Sequence, residues 1–536
     1  MLGAVVTEST DSRRPAAERT AGPKTLGVGI GLAVLYAGWR MAIDLDPPSL
    51  WIDDAWVVVL ARAPAYGWAL VQPASAPPLF MLLVGAATAI SPDLELGAQA
   101  WPFAAALLAV PATALLALRV TGRPLPAVIA GMVVALDTGL LVYGARVKPY
   151  SGDVLFVALQ GIAFHAVLER DTPRRITGYV ATCLLAFCAS TYSLLVAAAT
   201  APCLFLSLVR RRGVRRDHVV AASALAAAAA VLAIRIAARP RFSQLAAFWS
   251  SHHLPSDDAA ALVRGVVGWG WTWVGRLAHT TGPGAGPIDE RVMTSAVATL
   301  LVAGCVELWR SGRRVELGAG VAVCACAVVA SAAGFVPVGT VRGDLYLLPF
   351  AAVLIASGAG GLAHAAARLD PRPAARIPAA SLTSGAVACL LAVQGFEPPT
   401  SRYPDQPAAP LVRTLEQEWR DGDALAVNLH GTFGLAVYTT WPLRFVDDGR
   451  MAIPHPEPVV DGFVIVDGED PSRIARLPIG TRRTWALLCH DRPELRRALL
   501  DGMARAGYAI RHERAAPGCG LWLLERDDGV GDGPVT

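Results

Sequence analysis

Twelve nearly uninterrupted apolar stretches punctuate the chain, at 25–43, 77–91, 98–118, 125–143, 154–168, 176–191, 193–209, 218–237, 292–309, 317–337, 344–363 and 377–395. Most approach or exceed the roughly 18 residues that a helix needs to cross a bilayer. They are rich in Ala, Val and Leu with embedded Gly and Pro, as membrane helices tolerate. The pattern predicts a polytopic α-helical membrane protein. Composition agrees: 54% of the 536 residues are hydrophobic and only 17% are charged, with a mean hydropathy of +0.45. The net charge of +4 adds little, and nothing points to a nucleic-acid partner.

Positive charge collects in cytoplasmic loops, which orients the spans. The basic clusters are Arg119 with Arg123, then Arg170, Arg174 and Arg175, then "RRRGVRR" at 210–216, "RSGRR" at 310–314, and Arg368, Arg372 and Arg376. If all twelve stretches crossed from a basic, cytoplasmic N-terminus, every cluster would fall outside. Residues 77–91, short for a span and opening with Pro77-Pro78, instead read as a helix along the outer surface. Eleven spans then remain, with the N-terminus cytoplasmic and the C-terminus outside. This parity requires 176–209 to be two helices meeting near "STYS" (190–193). The expected organisation is a disordered cytoplasmic tail (1–24), a transmembrane domain (25–396) with outer loops 44–97, 144–153 and 238–291, a Pro-rich linker (397–410), an extracytoplasmic domain (411–526) and a disordered tail (527–536). The setting is a multi-pass protein of the plasma membrane.

In the third outer loop, Leu262, Val266, Trp269, Trp273 and Leu277 recur at helical spacing, which suggests an amphipathic helix lying in the interface. His252-His253 reads as a plain surface pair. After residue 397, a helix (411–420), a strand (424–428), a helix (432–441), strands at 463–468 and 485–490, the helix "PELRRALLDGMARAGY" and a strand at 520–525 form a small α/β pattern. Cys489 and Cys519 sit at strand ends. Two thiols are the simpler expectation, and a disulfide is the alternative in an oxidising compartment.

The outer loops hold the candidate chemistry. "WIDDAW" (51–56) places Asp53 and Asp54 between tryptophans just beyond the first span, and "YGARVKPYSGD" (143–153) gathers Arg146, Lys148, Tyr150 and Asp153 between two spans. Cations and tyrosines there suit an anionic lipid phosphate, and suit interfacial anchoring equally well. For the acids, the simpler role is at a helix N-terminus, where carboxylates favour the dipole.

The acidic pair after the first span, "QPASAPPLF" (72–80) and "ARVKPYSGD" (145–153) together resemble the GT-C class of membrane glycosyltransferases. The likeness is to the polyprenyl-phosphate-sugar-dependent family that includes protein O-mannosyltransferases and the aminoarabinose transferases of lipid A. The resemblance implies a sugar donor on a polyprenyl phosphate, an acceptor on a glycan, lipid or protein, and transfer at the outer face among membrane lipids. It points to Asp53 as the acid acting on the acceptor. Asp54 stands where family members often carry Glu, and orients the base or caps a helix. Lys148 and Tyr150 are expected near the donor phosphate, with Arg146, Asp153, Gln72 and Arg342 of "VGTVRGD" as further contacts. No cofactor signature appears, although a divalent cation bridged by Asp53 and Asp54 is compatible with the pair. Two other readings share the composition: a transporter or lipid flippase, for which Asp137 is the main mid-span acid, and a non-catalytic membrane protein whose outer domain binds a glycan or partner.

Overall fold

The computed structural model describes residues 23–43, 45, 49–63, 77–190, 192–237, 249–278, 287–369, 407–446, 455–466, 481–489 and 493–526. The first part is helical: α1 (Pro23–Ile43), α2 (Ile52–Ala61), α3 (Pro78–Ile90), α4 (Leu94–Thr121), α5 (Pro124–Leu136), α6 (Thr138–Gly144), α7 (Tyr150–Glu169), α8 (Pro173–Ala189), α9 (Ser193–Arg212) and α10 (Arg216–Ala237). It continues with α11 (Ala259–Leu277), α12 (Pro287–Arg310), α13 (Arg314–Ala332), the short α14 (Val341–Asp344) and α15 (Leu348–Leu369).

Among the described residues, seven helices are long and apolar enough to cross a membrane, or eight if the bent pair α5–α6 counts as one span. These account for eight of the eleven expected. Helix α8, at 17 residues, and helix α10 fall outside that set, and 377–395 lies outside the described residues. Helix α3 has 13 residues, about 20 Å at 1.5 Å per residue, against a ~30 Å hydrocarbon core. It is short for a span. Helices α8 and α9 are separate, breaking at Ser190–Tyr192, which is the division that the parity argument required.

Local chemistry sets the helix ends. Asp93 opens α4 by accepting from Leu96 N at 2.9 Å, and Gly122, at φ +69°, closes it. Asp137 sits at the 59° bend between α5 and α6 and caps the second segment, accepting from Leu140 N at 2.8 Å. The main acid within an apolar stretch thus has its carboxylate engaged in starting a helix. Helices α12 and α15 approach through facing glycines: a Cβ at Gly304 would collide with the Leu354 carbonyl, and one at Gly358 with that of Leu300. Small residues let membrane helices pack backbone to backbone.

The C-terminal part comprises α16 (Ala408–Glu418), β1 (Ala424–Asn428), α17 (Leu429–Tyr438), β2 (Leu443–Val446), β3 (His455–Pro458), β4 (Phe463–Val466), β5 (Arg483–Cys489), α18 (Pro493–Arg505), β6 (Tyr508–Ala516) and β7 (Cys519–Arg526). Strands order as β4-β1-β5-β7-β6, with β4, β1 and β5 parallel and β7 and β6 antiparallel, while β2 and β3 form a separate pair. The helix expected to run through Tyr508 stops at Arg505. Gly507, at φ +85°, turns the chain, and Tyr508 begins β6. Asn428 caps α17 three residues earlier than the sequence suggested, accepting from Gly431 N at 3.1 Å.

One core joins the two parts. Leu50, Trp51, Val57, Val58, Phe80 and Met81 share a buried cluster with Leu411, Phe433, Trp485, Leu487 and Leu521. Tyr438, at the end of α17, receives Leu50 N at 2.5 Å and Ser49 Oγ at 3.3 Å, while Ser49 Oγ accepts from Ala409 N at 3.2 Å. Burial pushes the Tyr438 hydroxyl pKa up, so it stays a neutral hydrogen-bonding group.

The α12–α15 contact gives a test. Gly358→Val should lower stability by about 1–3 kcal/mol through overpacking, seen as a lower melting temperature in detergent. Gly320→Val, where nothing lies near a Cβ, should change it little. Equal effects at both sites would contradict close packing at Gly358.

Candidate functional site

Helix α2 is ten residues long and would not be stable alone. Packing against the shared core holds it. Its first turn carries Asp53 and Asp54, where the helix dipole favours negative charge. One residue step rotates a helical side chain by about 100°, and the two acids meet different surroundings. Asp53 retains 36% of its side-chain exposure, whereas Asp54 is fully buried. Asp54 does not cap α2: neither of its oxygens makes a hydrogen bond of good geometry. It lies instead under the 145–149 turn, close to the Val147 backbone and within electrostatic range of Lys148 and Arg146. Burial raises its pKa above the ordinary carboxylate range, with Lys148 and Arg146 opposing that shift.

The turn between α6 and α7 supplies the cations. Lys148 is 5% exposed; its Nζ donates to the Asp53 carbonyl oxygen at 2.7 Å and stands 3.9 Å from Asp53 Oδ2. The ammonium also lies 4.8 Å from the Trp56 ring centroid and 5.8 Å from that of Trp51, and the Arg146 guanidinium lies 5.8 Å from Trp51. Cation–π contacts of this kind strengthen when water is excluded. Burial lowers the Lys148 pKa, and Asp53 and Asp54 act against that.

A third group comes from 249–344. The Arg342 guanidinium packs 4.1 Å above the Trp249 ring and lies within electrostatic range of the Tyr150 hydroxyl. Tyr150 packs edge-on against Tyr143 at 4.9 Å. The turn bearing Arg342 is pinned through its neighbour Asp344. That carboxylate accepts from Trp269 Nε1 at 3.1 Å, from Gly339 N at 3.1 Å and from Arg276 of α11. Thr340 caps the turn by accepting from Gly343 N at 2.8 Å.

Asp53, Asp54, Arg146, Lys148, Tyr150 and Arg342 therefore converge. Asp153 faces elsewhere: it is fully buried, accepting from Ser190 Oγ at 2.5 Å and from Tyr192 N at 3.4 Å, which ties α7 to the α8–α9 break. Gln72 lies outside the described residues. Trp249, Asp344 and Arg276 were not singled out from the sequence, and Trp269 was read only as part of an apolar face. Their roles depend on pairing residues about 70–95 positions apart in the chain, as in Trp269 and Arg276 with Asp344.

Of the acidic pair, Asp53 has the Lys148 ammonium 3.9 Å from its carboxylate, and Asp54 is fully buried with neither oxygen hydrogen-bonded. Among the described residues, the His, Cys, Asp and Glu group close enough to share an ion is Asp171, Asp217 and His218, beyond the far end of α7 from Tyr150. There, Arg212 and Arg215 face Asp171 at 3.8 and 3.5 Å.

The chain matches ArnT from Cupriavidus metallidurans in the apo state with a TM-score of 0.54 at 11% identity, over 94% of this chain and 98% of that one. It matches the same protein bound to undecaprenyl phosphate with a TM-score of 0.52 at 12% identity and the same coverage. The fold is of the GT-C glycosyltransferase type. Archaeal oligosaccharyltransferase AglB from Archaeoglobus fulgidus, in complex with an inhibitory peptide and a dolichol-phosphate, matches with a TM-score of 0.50 at 11% identity, over 95% of this chain and 75% of that one. No family model and no curated protein sequence matches the chain. The GT-C architecture agrees with the resemblance seen in the loop motifs and with a polytopic membrane protein carrying a C-terminal α/β region.

The buried acid gives the next test. A carboxyl whose folded pKa is raised costs stability as pH climbs above its unfolded value of about 4. Asp54→Asn removes that cost, so its stability relative to the unsubstituted protein should rise between pH 4 and pH 8. Thermal melts across that range measure it, and a difference independent of pH would contradict the burial of an ionisable Asp54.

Proposed function

We propose that the chain is a membrane glycosyltransferase that moves a sugar from a polyprenyl-phosphate donor to an acceptor hydroxyl at the outer face of the membrane. The observation that carries the reading is the half-exposed Asp53 carboxylate beside the buried Lys148 ammonium, with the Arg342–Tyr150 pair in the same charged group. The GT-C fold supports the class. The ligands bound by the two structural neighbours, undecaprenyl phosphate by ArnT and a dolichol-phosphate by AglB, support the donor type.

The transfer needs a base on one side of the anomeric carbon and positive charge on the other. Asp53 takes the proton of the acceptor hydroxyl, whose oxygen forms the new bond to the anomeric carbon. The bond from that carbon to the phosphate oxygen breaks, and the polyprenyl phosphate leaves with an added negative charge. Arg342, with Tyr150 beside it, stabilises that charge, and Arg146 and Lys148 extend the positive field. Lys148 also fixes α2 through the Asp53 carbonyl. Asp54 is too buried to reach an acceptor, so of the two acids only Asp53 satisfies the geometric requirement for a base. Asp153 holds the start of α7 in place.

In a transfer assay with a polyprenyl-phosphate sugar and membranes containing the protein, Asp53→Asn should retain donor binding and lose about 10²–10⁴-fold in rate. Arg342→Ala should weaken donor binding as well as turnover. Full activity in Asp53→Asn would end the base assignment.

The reading places the N-terminus in the cytoplasm and the α/β domain outside. In intact cells, a membrane-impermeant maleimide should label Val459→Cys, an exposed position of that domain, and leave Arg212→Cys untouched. The opposite pattern would invert the topology.

A further inference from the structure

The α/β sheet carries two thiols that glycosyl transfer does not use. Cys489 ends β5, Cys519 begins β7, and the two are direct register partners. An antiparallel ladder alternates between pairs that exchange backbone hydrogen bonds and pairs that do not. Three observations assign the cysteines to the second kind.

Arg526 N donates to Arg482 O at 2.9 Å in the same register, so the 482/526 pair is bonded, and seven alternations along the ladder make 489/519 a non-bonded pair. At the other edge of β5, the Asn428 side chain occupies both backbone groups of Cys489: Cys489 N donates to Asn428 Oδ1 at 2.9 Å, and Asn428 Nδ2 donates to Cys489 O at 2.6 Å. Cys519 pairs with Ala516 across the two residues Pro517 and Gly518, which directs its backbone groups toward β6. Non-bonded pairs hold their Cα atoms about 4.5 Å apart with the side chains close together, inside the roughly 4.4–6.8 Å range that a disulfide spans. Both side chains lie on the face shared with Trp485, Leu487, Leu521 and Leu523, and both are buried and stand as thiols in the structure, as the sequence suggested.

We propose that Cys489 and Cys519 form a cross-strand disulfide once the domain reaches the outer face. This rests on the outer placement given under the proposed function, because disulfides persist in oxidising compartments. Two thiols lose two protons and two electrons, one S–S bond forms, and the disulfide of an exported thiol oxidant is reduced to two thiols by exchange. The bond would close a loop containing α18 and β6. Burial would then shield it from reductants. The other cysteines among the described residues, Cys183, Cys188, Cys203, Cys305, Cys324 and Cys326, lie in the helical part and do not compete for either thiol.

The test uses the full-length protein in its native membrane. Cells are quenched with acid, thiols are alkylated before any reductant is added, and the digested protein is mapped by mass spectrometry. The expected result is a linked Cys489–Cys519 peptide that disappears on reduction. Reduction should also lower the melting temperature by about 5 °C, and Cys489→Ala/Cys519→Ala should remove that dependence on reductant. Alkylated thiols at both positions overturn the proposal. The Val459→Cys label, read in the same cells, then locates the failure. Labelling from outside with both thiols alkylated means that the strand-end geometry was misjudged. No labelling means that the outer placement was wrong.

Discussion

A ten-residue helix cannot hold two carboxylates in place by itself, and the surroundings of α2 are organised around that constraint. Helix α2 lacks a side-chain N-cap. Its position comes from burial: Ala55, Val57 and Val58 are sealed into a core built jointly by the membrane helices and the sheet, and the preceding residues are tied to Tyr438. Lys148 adds the remaining restraint by bonding the Asp53 carbonyl. One ammonium thus bonds the backbone of this residue and stands 3.9 Å from its carboxylate.

The second organising feature is charge held in apolar surroundings. Lys148, Arg146 and Arg342 each lie against a tryptophan ring, and the ring faces replace part of the water that a surface cation would keep. Ions in such a setting interact more strongly than they would in bulk solvent. Asp344, buried with Arg276 and Trp269, belongs to the same scheme one layer further out. It leaves Arg342 oriented by a turn whose own polar groups are satisfied, which is the kind of preorganisation that stabilises developing charge at low cost.

Much of this was legible in the chain because charges in an apolar sequence are conspicuous. Asp53, Asp54, Lys148 and Arg342 stood out for that reason, as did strands β1 and β5, which are continuous buried apolar runs. The opposite burial of Asp53 and Asp54 could not be read, since it depends on which side of α2 the 145–149 turn covers. Strand β6 was hidden because "YAIRHERAA" is an edge strand, largely exposed and charged, and lacks the alternation that marks a half-buried strand. The Gly304–Gly358 contact was equally silent: glycine pairs 54 positions apart carry no periodic signal. Asp137 was visible as an acid in an apolar run, but its function as a helix cap required the bend to be seen.

The hydrogen bond from Leu50 to Tyr438 spans 388 positions in the chain. Synthesis proceeds from the N-terminus, so the helix bearing Asp53 emerges first and its anchor emerges last. During insertion, the segment bearing α2 must wait beside the membrane while more than three hundred residues are threaded and folded. Its tryptophans, suited to the interface, give it somewhere to reside in that interval. The site that opens the sequence is therefore among the last parts to mature, and a chain broken off before α17 would carry every charged residue of the group yet lack the packing that brings α2 to rest.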